Sequence, residues 1–259
     1  MRPNKIKAMW REGKPAAAGW ISTGNTYLAE AMAHAGYDAV IIDMQHGMSV
    51  TTDKAVACLQ AISTTDTVPI VRLPWNDPQV IQFVLDAGAY GVIVPMVNTY
   101  EDAVAAGRAA RYHPLGDRSF GANRAKFYAG ADYLQHANEE IIVLVMIETT
   151  QAIENLEEIA KAPGIDGFYI GPSDLALSLD LVPGPDAFND SKHIAACQRV
   201  LDVANATGLV PCHHGVGPLE AAKLFKQGFK LSQIGSDIVM VTNGASTALN
   251  TLKEARAQG

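Results

Sequence analysis

The sequence predicts an α/β protein with one domain, residues 1–259, folded as a closed (β/α)8 barrel of the TIM type. The chain has 259 residues, 48% of them hydrophobic and 18% charged, which suits one such barrel. Residues 141–147 form an unbroken apolar run, typical of a strand buried on both faces of a parallel sheet. Eight strand segments alternate with helical patterns, and eight units favour a closed barrel over an open sheet.

The predicted elements follow one another with short connections. Gly36 and Gly88 end two helices, and Pro78 lies at the start of the second of them, in keeping with the backbone preferences of glycine and proline. The predicted strands are residues 16–21, 39–44, 68–74, 91–97, 141–147, 167–172, 209–214 and 230–237. The predicted helices are residues 5–12, 26–35, 53–62, 77–88, 101–111, 151–161, 192–207, 219–227 and 245–257. Residues 112–128 and 180–190 are predicted loops, and the first is long enough to suggest a functional role.

Composition and charge argue against several classes of function. The formal net charge is −7, whereas nucleic acids and anionic membranes attract basic surfaces. Cys58, Cys197 and Cys212 have the spacing of neither a disulfide framework nor a zinc motif. Residues 1–14 lack the apolar segment of a secretory signal, and no glycine-rich phosphate-binding motif follows an early strand. We therefore expect a cytoplasmic protein that acts on small molecules.

Polar and aromatic residues stand at the carboxyl ends of the predicted strands. A barrel brings these ends together at one mouth, where barrel enzymes hold their active sites. The residues are Trp20, Asp43, His46, Arg72, Glu148, Asp174, His213 and His214. Their convergence predicts an active site at this mouth.

Glu148 and Asp174 follow two neighbouring strands, and such strands lie about 4.8 Å apart. Mg²⁺ and Mn²⁺ prefer oxygen ligands and are commonly held by one or two carboxylates, with water and substrate completing the coordination. The pair therefore predicts a metal site. The alternative is that both residues only stabilise helix N-termini, with Asp174 as an N-cap.

Each remaining candidate also has an alternative explanation. A buried guanidinium needs an anionic partner, so Arg72 binds either a substrate carboxylate or enolate, or simply Asp43. His46 is either an acid/base group near this pair or a loop histidine bonded to a carbonyl. Trp20 either lines the pocket or only fills the barrel. An imine-forming aldolase would need a lysine at a strand end, and no apolar strand here ends on one, which favours metal-stabilised enolate chemistry.

The chain resembles the HpcH/HpaI family of metal-dependent class II pyruvate aldolases nearly from end to end. The matching segments are residues 42–46 (IDMQH), 71–78 (VRLPWNDP), 94–97 (VPMV), 111–114 (RYHP), 147–149 (IET) and 164–175 (GIDGFYIGPSDL). The resemblance implies a barrel whose last helix is exchanged between subunits, in a homohexamer built as a dimer of trimers. It also implies reversible aldol addition of a pyruvate-type 2-oxo acid to an aldehyde, with Mg²⁺, Mn²⁺ or Co²⁺ as cofactor.

The resemblance also implies roles for individual residues. Glu148 and Asp174 become the metal ligands, and Arg72 contacts the oxo or enolate oxygen of the donor. His46 becomes the acid/base group, helped by Asp43 and oriented by Asp86. The backbone amides around Ser173 and Asp174 hold the donor carboxylate, and Gly171, Pro172 and Ser173 are the substrate-binding residues of this segment.

Asp86 lies near the end of a helix that runs away from the mouth, so we expect it to reach His46 only from a neighbouring subunit. Three further residues are candidate substrate contacts. Met146 stands where many family members have glutamine, His213 and His214 replace small or aliphatic residues, and Arg118 lies in the long loop. The polar pair after strand seven suggests a hydroxylated donor or aldehyde, such as hydroxypyruvate.

Two other functions fit the same residues. A citrate-lyase-β or CoA-ester-type lyase would use the same metal–enolate chemistry but needs a cationic groove, and the clearest basic cluster is only Arg118, Arg124 and Lys126. A catalytically silent barrel that binds a 2-oxo acid is the other alternative. CoA titration and release of pyruvate from a 4-hydroxy-2-oxo acid distinguish these three functions.

Overall fold

Eight parallel strands form a closed barrel in chain order, and β1 pairs with β8 to complete it. The computed structural model describes residues 1–48 and 50–257. The strands are β1 Ala16–Ile21, β2 Ala39–Asp43, β3 Val68–Arg72, β4 Gly91–Val94, β5 Ile142–Ile147, β6 Gly167–Ile170, β7 Val210–His213 and β8 Leu231–Ser236. The predicted fold class is confirmed.

Helices follow the strands around the outside of the barrel. They are α1 Lys5–Arg11, α2 Thr26–His34, α3 Thr52–Ile62, α4 Pro78–Asp86, α5 Tyr100–Ala110, α6 Ala125–Ala129, α7 Tyr133–Glu140, α8 Thr150–Glu154, α9 Leu156–Ile159, α10 Pro172–Ser178, α11 Pro185–Phe188, α12 Ser191–Thr207, α13 Pro218–Gln227 and α14 Asp237–Ala257. The predicted loops contain the start of α6 and the whole of α11. The last helix begins eight residues earlier than expected, at Asp237 rather than residue 245.

The register of the strands determines which side chains fill the barrel. Met146 on β5 is level with Tyr169 on β6, which is level with Cys212 on β7. Side chains level with one another on neighbouring parallel strands point to the same side, here the interior. All three are buried, and each stands two residues before a residue at the mouth, namely Glu148, Gly171 and His214.

Helix α14 lies outside this packing scheme. Asp237 is its one buried residue, whereas Ile238, Val241, Leu249 and Leu252 are 45%, 51%, 58% and 47% exposed. Apolar side chains on a helix are normally covered by a neighbouring element. Exchange of this helix between subunits stays a prediction. Among the described residues, no helix is long and apolar enough to cross a membrane.

Candidate active site

Asp43 and Arg72 form a buried ion pair at the ends of β2 and β3. The register places them level with each other. Arg72 donates from Nε to Asp43 Oδ1 over 2.9 Å and from Nη2 to Oδ2 over 2.6 Å. Burial acts to raise the pKa of Asp43, but the hydrogen bonds and charge of Arg72 outweigh it and lower that pKa. Nη1, on the opposite edge of the guanidinium, makes no hydrogen bond within the described residues, which leaves this edge for another anionic or polar group.

Asp43 also organises the surrounding residues. The Trp20 indole donates to Oδ2 over 3.3 Å, and the Arg72 guanidinium lies 4.8 Å from the centre of the Trp20 ring. The backbone amides of Gln45 and His46 donate to Oδ1 over 3.0 and 3.2 Å. These bonds shape the loop that carries the exposed His46 side chain. Asp43 is therefore the partner that Arg72 has within the chain, and it positions three other candidates.

Glu148 lies at the end of β5 with only one of its oxygens satisfied. Oε1 accepts a 2.7 Å hydrogen bond from the Met96 amide, and Met96 has a left-handed φ of 55°, which is rare for a residue with a side chain. Oε2 is buried without a hydrogen-bond partner among the described residues. Burial, together with the negative charge of Asp174, raises the pKa of Glu148 to about 7, although the Met96 bond and Arg72 act in the opposite direction.

Neither Glu148 nor Asp174 is the N-cap residue of the helix that follows it, although Asp174 is an acidic residue in a first helical turn. Thr149 caps α8 by accepting a 3.0 Å bond from the Ala152 amide, so Glu148 is not its cap. Gly171 occupies the N-cap position of α10, and Asp174 lies within the first helical turn. Both carboxylates are therefore available for another role.

Gly171 is needed for the position of Glu148. A Cβ atom at Gly171 would collide with Glu148 Oε2 and would lie 2.8 Å from Met146 Cε. The alternation of β5 places Met146 and Glu148 on the same side, so both face Gly171. The absent side chain leaves the space that the unsatisfied oxygen occupies.

These observations fit a hard divalent cation. A buried, unpartnered carboxylate oxygen beside a second carboxylate is costly unless a cation is bound, and oxygen ligands suit Mg²⁺ or Mn²⁺. In residues 1–48 and 50–257 no group of three or more His, Cys, Asp or Glu side chains could hold a metal. Glu148 and Asp174 could supply two ligands, with water and substrate supplying the rest.

His214 and His213 diverge because consecutive strand residues point to opposite sides. The His214 ring lies at the mouth, 4.6 Å from the Trp20 ring. The His213 ring points toward the helices, 5.3 Å from the Phe229 ring and 3.9 Å from Cys197 Sγ on α12. The structure thus does not support the predicted contact of His213 with substrate.

Arg118 and Asp86 are also separate from the mouth. Arg118 Nη2 donates to Asp86 Oδ1 over 2.7 Å, and Nη1 donates to the Tyr133 hydroxyl over 3.0 Å. Its side chain is fully buried, and its guanidinium lies 4.5 Å from the Tyr112 ring. None of these partners follows a strand, so the predicted substrate contact of Arg118 is not met within one subunit.

Sequence reasoning missed two residues of the site, Met96 and Tyr169. The Tyr169 hydroxyl lies 3.2 Å from His214 Nδ1, and the Met96 amide holds Glu148. Tyr169 could have been found from its place two residues before Gly171 on the same strand face. Met96 acts through its backbone, for which the amino-acid sequence carries no comparable signal.

Comparison with known proteins identifies the family. Residues 17–244 match the family described as HpcH/HpaI aldolase/citrate lyase. The chain belongs to the HpcH/HpaI family. A hydroxypyruvate/pyruvate aldolase of Rhizorhabdus wittichii is 40% identical over 255 residues, which cover 98% of this chain and 99% of the relative. A 4-hydroxy-2-oxo-heptane-1,7-dioate aldolase of Escherichia coli is 38% identical over 185 residues, 70% of each chain.

A solved structure of the HpcH/HpaI family is similar along the whole barrel. The HpcH/HpaI aldolase/citrate lyase family protein of Burkholderia cenocepacia matches with a TM-score of 0.88 at 30% identity, covering 96% of this chain and 99% of that one. The expected family and the expectation of an aldolase are confirmed by these relatives. The roles of individual residues stay predictions.

Proposed function

We propose that this HpcH/HpaI enzyme is a carbon–carbon lyase that reversibly cleaves a 4-hydroxy-2-oxo acid to a pyruvate-type 2-oxo acid and an aldehyde. The observation that carries the proposal is the unsatisfied, buried oxygen of Glu148 next to Asp174, with the Arg72–Asp43 pair at the same mouth. The cation site and the positive charge of Arg72 could both stabilise the same enolate. The aldolase relatives support the same reaction class.

Glu148 and Asp174 would hold the divalent cation, Mg²⁺, Mn²⁺ or Co²⁺. When bound, the cation would act as a Lewis acid toward the oxygens of a 2-oxo acid. Arg72, held by Asp43, directs its free Nη1 edge toward the oxygen on which negative charge develops. The segment Gly171, Pro172 and Ser173, where α10 begins, binds the substrate carboxylate through the backbone amides around Ser173 and Asp174 in the first turn.

His46 moves the proton. In the cleavage direction it accepts the proton of the 4-hydroxyl group, the C3–C4 bond breaks, and the bond electrons remain on the 2-oxo acid as its enolate. His46 then returns the proton to C3, and the aldehyde leaves. Imidazole suits both steps near neutral pH. Asp43 fixes the backbone of His46, and Asp86 of a neighbouring subunit would orient its ring.

The polar side chains at the mouth favour hydroxylated substrates. His214 adds a ring nitrogen at a position otherwise lined by Trp20 and Tyr169. The R. wittichii relative is named for hydroxypyruvate and pyruvate. We infer that the donor is pyruvate or hydroxypyruvate, and that Trp20 and Met146 complete the pocket by apolar contact.

We further infer a cytoplasmic homohexamer, a dimer of trimers that exchanges α14. Its exposed apolar side chains need a cover that the subunit itself does not supply among the described residues. The three cysteines are free, as a reducing compartment permits.

The aldolase proposal is tested by following pyruvate release from 4-hydroxy-2-oxo acids in a coupled lactate dehydrogenase assay. Chelation with EDTA should abolish turnover, and Mg²⁺, Mn²⁺ or Co²⁺ should restore it. Glu148→Gln should lower kcat by about 100-fold or more, because the amide is a weaker ligand than the carboxylate. Glu158→Gln, an exposed glutamate on α9, is the matched control and should retain full activity.

Full turnover after rigorous chelation would contradict the metal assignment. Tight binding of CoA in a titration, without pyruvate release, would favour a CoA-ester lyase instead. Binding of a 2-oxo acid with no cleavage of any tested substrate would favour a silent binding barrel.

A further inference from the structure

A buried tyrosine contacts the histidine at the mouth. Tyr169 is fully buried in the barrel interior, and its hydroxyl oxygen lies 3.2 Å from His214 Nδ1. In the mechanism above neither residue transfers a proton. The pair therefore needs an explanation of its own.

The burial of Tyr169 determines which atom donates in this bond. A phenol hydrogen that is buried without an acceptor costs free energy, and His214 Nδ1 is the acceptor that the described residues offer it. Burial raises the pKa of Tyr169, so the hydroxyl keeps its hydrogen. The hydroxyl therefore donates, and Nδ1 accepts with its lone pair.

The tautomer of His214 follows from the direction of the hydrogen bond that Tyr169 donates. A neutral imidazole with an unprotonated Nδ1 carries its hydrogen on Nε2. Burial, and secondly the charge of Arg72, lowers the pKa of His214 to about 4, so the ring is neutral at pH 7. Nε2 makes no hydrogen bond to any group in the described part of the chain, and the side chain is half-buried at the mouth.

The backbone around His214 is fixed from three sides. Its amide donates to the Ile170 carbonyl over 3.1 Å. Its own carbonyl accepts a 3.1 Å bond from His213 Nδ1, and the carbonyl of Gly215 accepts a bond from the Gln233 side chain on β8. The ring thus has both a fixed position and a fixed hydrogen-bonding pattern, which is what a selective contact requires.

We propose that Tyr169 is a positioning residue that holds His214 as the Nε2–H tautomer, and that this N–H recognises a hydroxyl group of the substrate. The hydroxyl belongs either to the donor, as in hydroxypyruvate, or to the aldehyde, as in glycolaldehyde. Trp20, 4.6 Å from the His214 ring, and Arg72, which stacks on Trp20, place this contact beside the group assigned to the enolate oxygen. This inference rests on the proposed aldolase function.

Tyr169→Phe tests it, because the variant keeps the ring and removes the hydroxyl. Addition reactions are run with hydroxypyruvate or pyruvate as donor and with glycolaldehyde or acetaldehyde as acceptor. We expect kcat/KM to fall about five- to tenfold, the effect of one hydrogen bond, only for the substrate whose hydroxyl is recognised. His214→Leu should give the same selectivity change, and the double variant should lose no more than His214→Leu alone.

A spectroscopic measurement separates positioning from a general structural effect. In ¹⁵N-histidine NMR of the wild-type protein, His214 should show an unprotonated Nδ1 and a protonated Nε2, and Tyr169→Phe should shift it toward a mixture of tautomers. Tyr112→Phe is the matched control, because it removes a buried hydroxyl that has no partner among the described residues. It should change neither selectivity nor the His214 signals.

Two results would overturn the inference. One is a wild-type His214 protonated on Nδ1, and the other is an equal loss of kcat/KM for all four substrate pairs in Tyr169→Phe. If the wild-type protein catalyses no aldol reaction at all, the proposed function fails instead, and the NMR measurement still decides the tautomer.

Discussion

Glu148 is held in a state that suits a ligand better than a structural carboxylate. Its Oε1 is fixed by an amide on a left-handed residue, and its Oε2 lies buried beside Gly171. Repulsion from Asp174 and burial both favour the protonated form. A divalent cation would offset both effects. The unfavourable free energy of the buried Glu148 charge beside Asp174 would thus favour the binding of a cation at this site.

Gly171→Ala should disable the site without unfolding the barrel. The new methyl group would occupy the space of Glu148 Oε2 and press on Met146, so the carboxylate must leave its present position. We expect Mn²⁺ affinity, measured by isothermal titration calorimetry, to fall about 10- to 100-fold, with a parallel loss of turnover.

Gly217→Ala is the control for that substitution. Gly217 has extended backbone that any residue adopts, and a Cβ there meets no atom within 4 Å. Its metal affinity should equal that of the wild type. Unchanged Mn²⁺ binding in Gly171→Ala would show that Glu148 Oε2 is not a ligand.

Single residues at strand ends were largely predictable from the sequence. Glu148, Asp43 and Arg72 each follow a clear apolar strand, and parallel strands bring such positions together. The distinction between His213 and His214 was harder, because β7 is short and its end determines which side each residue faces. The strand pairing determines which side each histidine faces, because Cys212 pairs with Tyr169 and His213 pairs with Ser232.

At the level of elements, β7 meets α12 through a buried polar cluster. His213 Nδ1 donates to the His214 carbonyl, Cys197 Sγ lies 3.7 Å from His193 Nδ1, and His193 Nε2 donates to the Pro172 carbonyl at the start of α10. Burial raises the pKa of the Cys197 thiol to about 12, so it stays neutral. The cluster therefore links the end of β7, at His213 and His214, to α10, the helix that carries Asp174.

The buried His213 predicts a loss of stability in acid. Burial, followed by the nearby His214, lowers the pKa of His213 to about 3, whereas an unfolded histidine has a pKa near 6.5. Between these values the unfolded chain binds more protons, so the free energy of unfolding falls as pH falls below 6.5. From pH 7 to pH 5 this residue should cost about 2 kcal/mol.

His213→Asn isolates this contribution, because the asparagine amide can still donate to the His214 carbonyl but does not titrate. Urea unfolding at one protein concentration, at pH 7 and pH 5, should show a smaller drop in the variant than in the wild type, by about 2 kcal/mol. His136→Asn, an exposed histidine on α7, should keep the wild-type drop. Equal drops in all three proteins would refute the prediction for His213.

The elements that the sequence did not predict are the ones with weak local preferences. Residues 112–128 contain proline and glycine and were expected to be a loop, yet α6 begins at Ala125, where Ala125 and Tyr128 are buried against the barrel. The last helix passes through Gly244, although glycine costs roughly 1 kcal/mol inside a helix. Tertiary contacts and chain connectivity override these local signals, and a sequence window does not contain them.

On the scale of the whole molecule, the proposed mechanism needs residues from more than one subunit. The barrel order, its parallel topology and the mouth follow from eight alternating units, so they were predictable. The resemblance also implied exchange of the last helix and an Asp86 from a neighbouring subunit, and within one subunit α14 exposes apolar side chains while Asp86 pairs with Arg118. Both features require another copy of the chain to acquire their proposed roles.

Subunit complementation tests whether Asp86 acts on His46 across an interface. His46→Ala and Asp86→Asn should each be inactive alone while keeping the hexameric mass in light scattering. After they are mixed at equal amounts, unfolded and refolded together, a site with an intact His46 can be completed by an intact Asp86 of the neighbouring subunit. Random assembly should then restore about a quarter of the wild-type activity. No single subunit of the mixture carries both an intact His46 and an intact Asp86. A mixture that stays inactive despite hexamer formation would therefore exclude the shared site. An active Asp86→Asn hexamer would show that His46 needs no such partner.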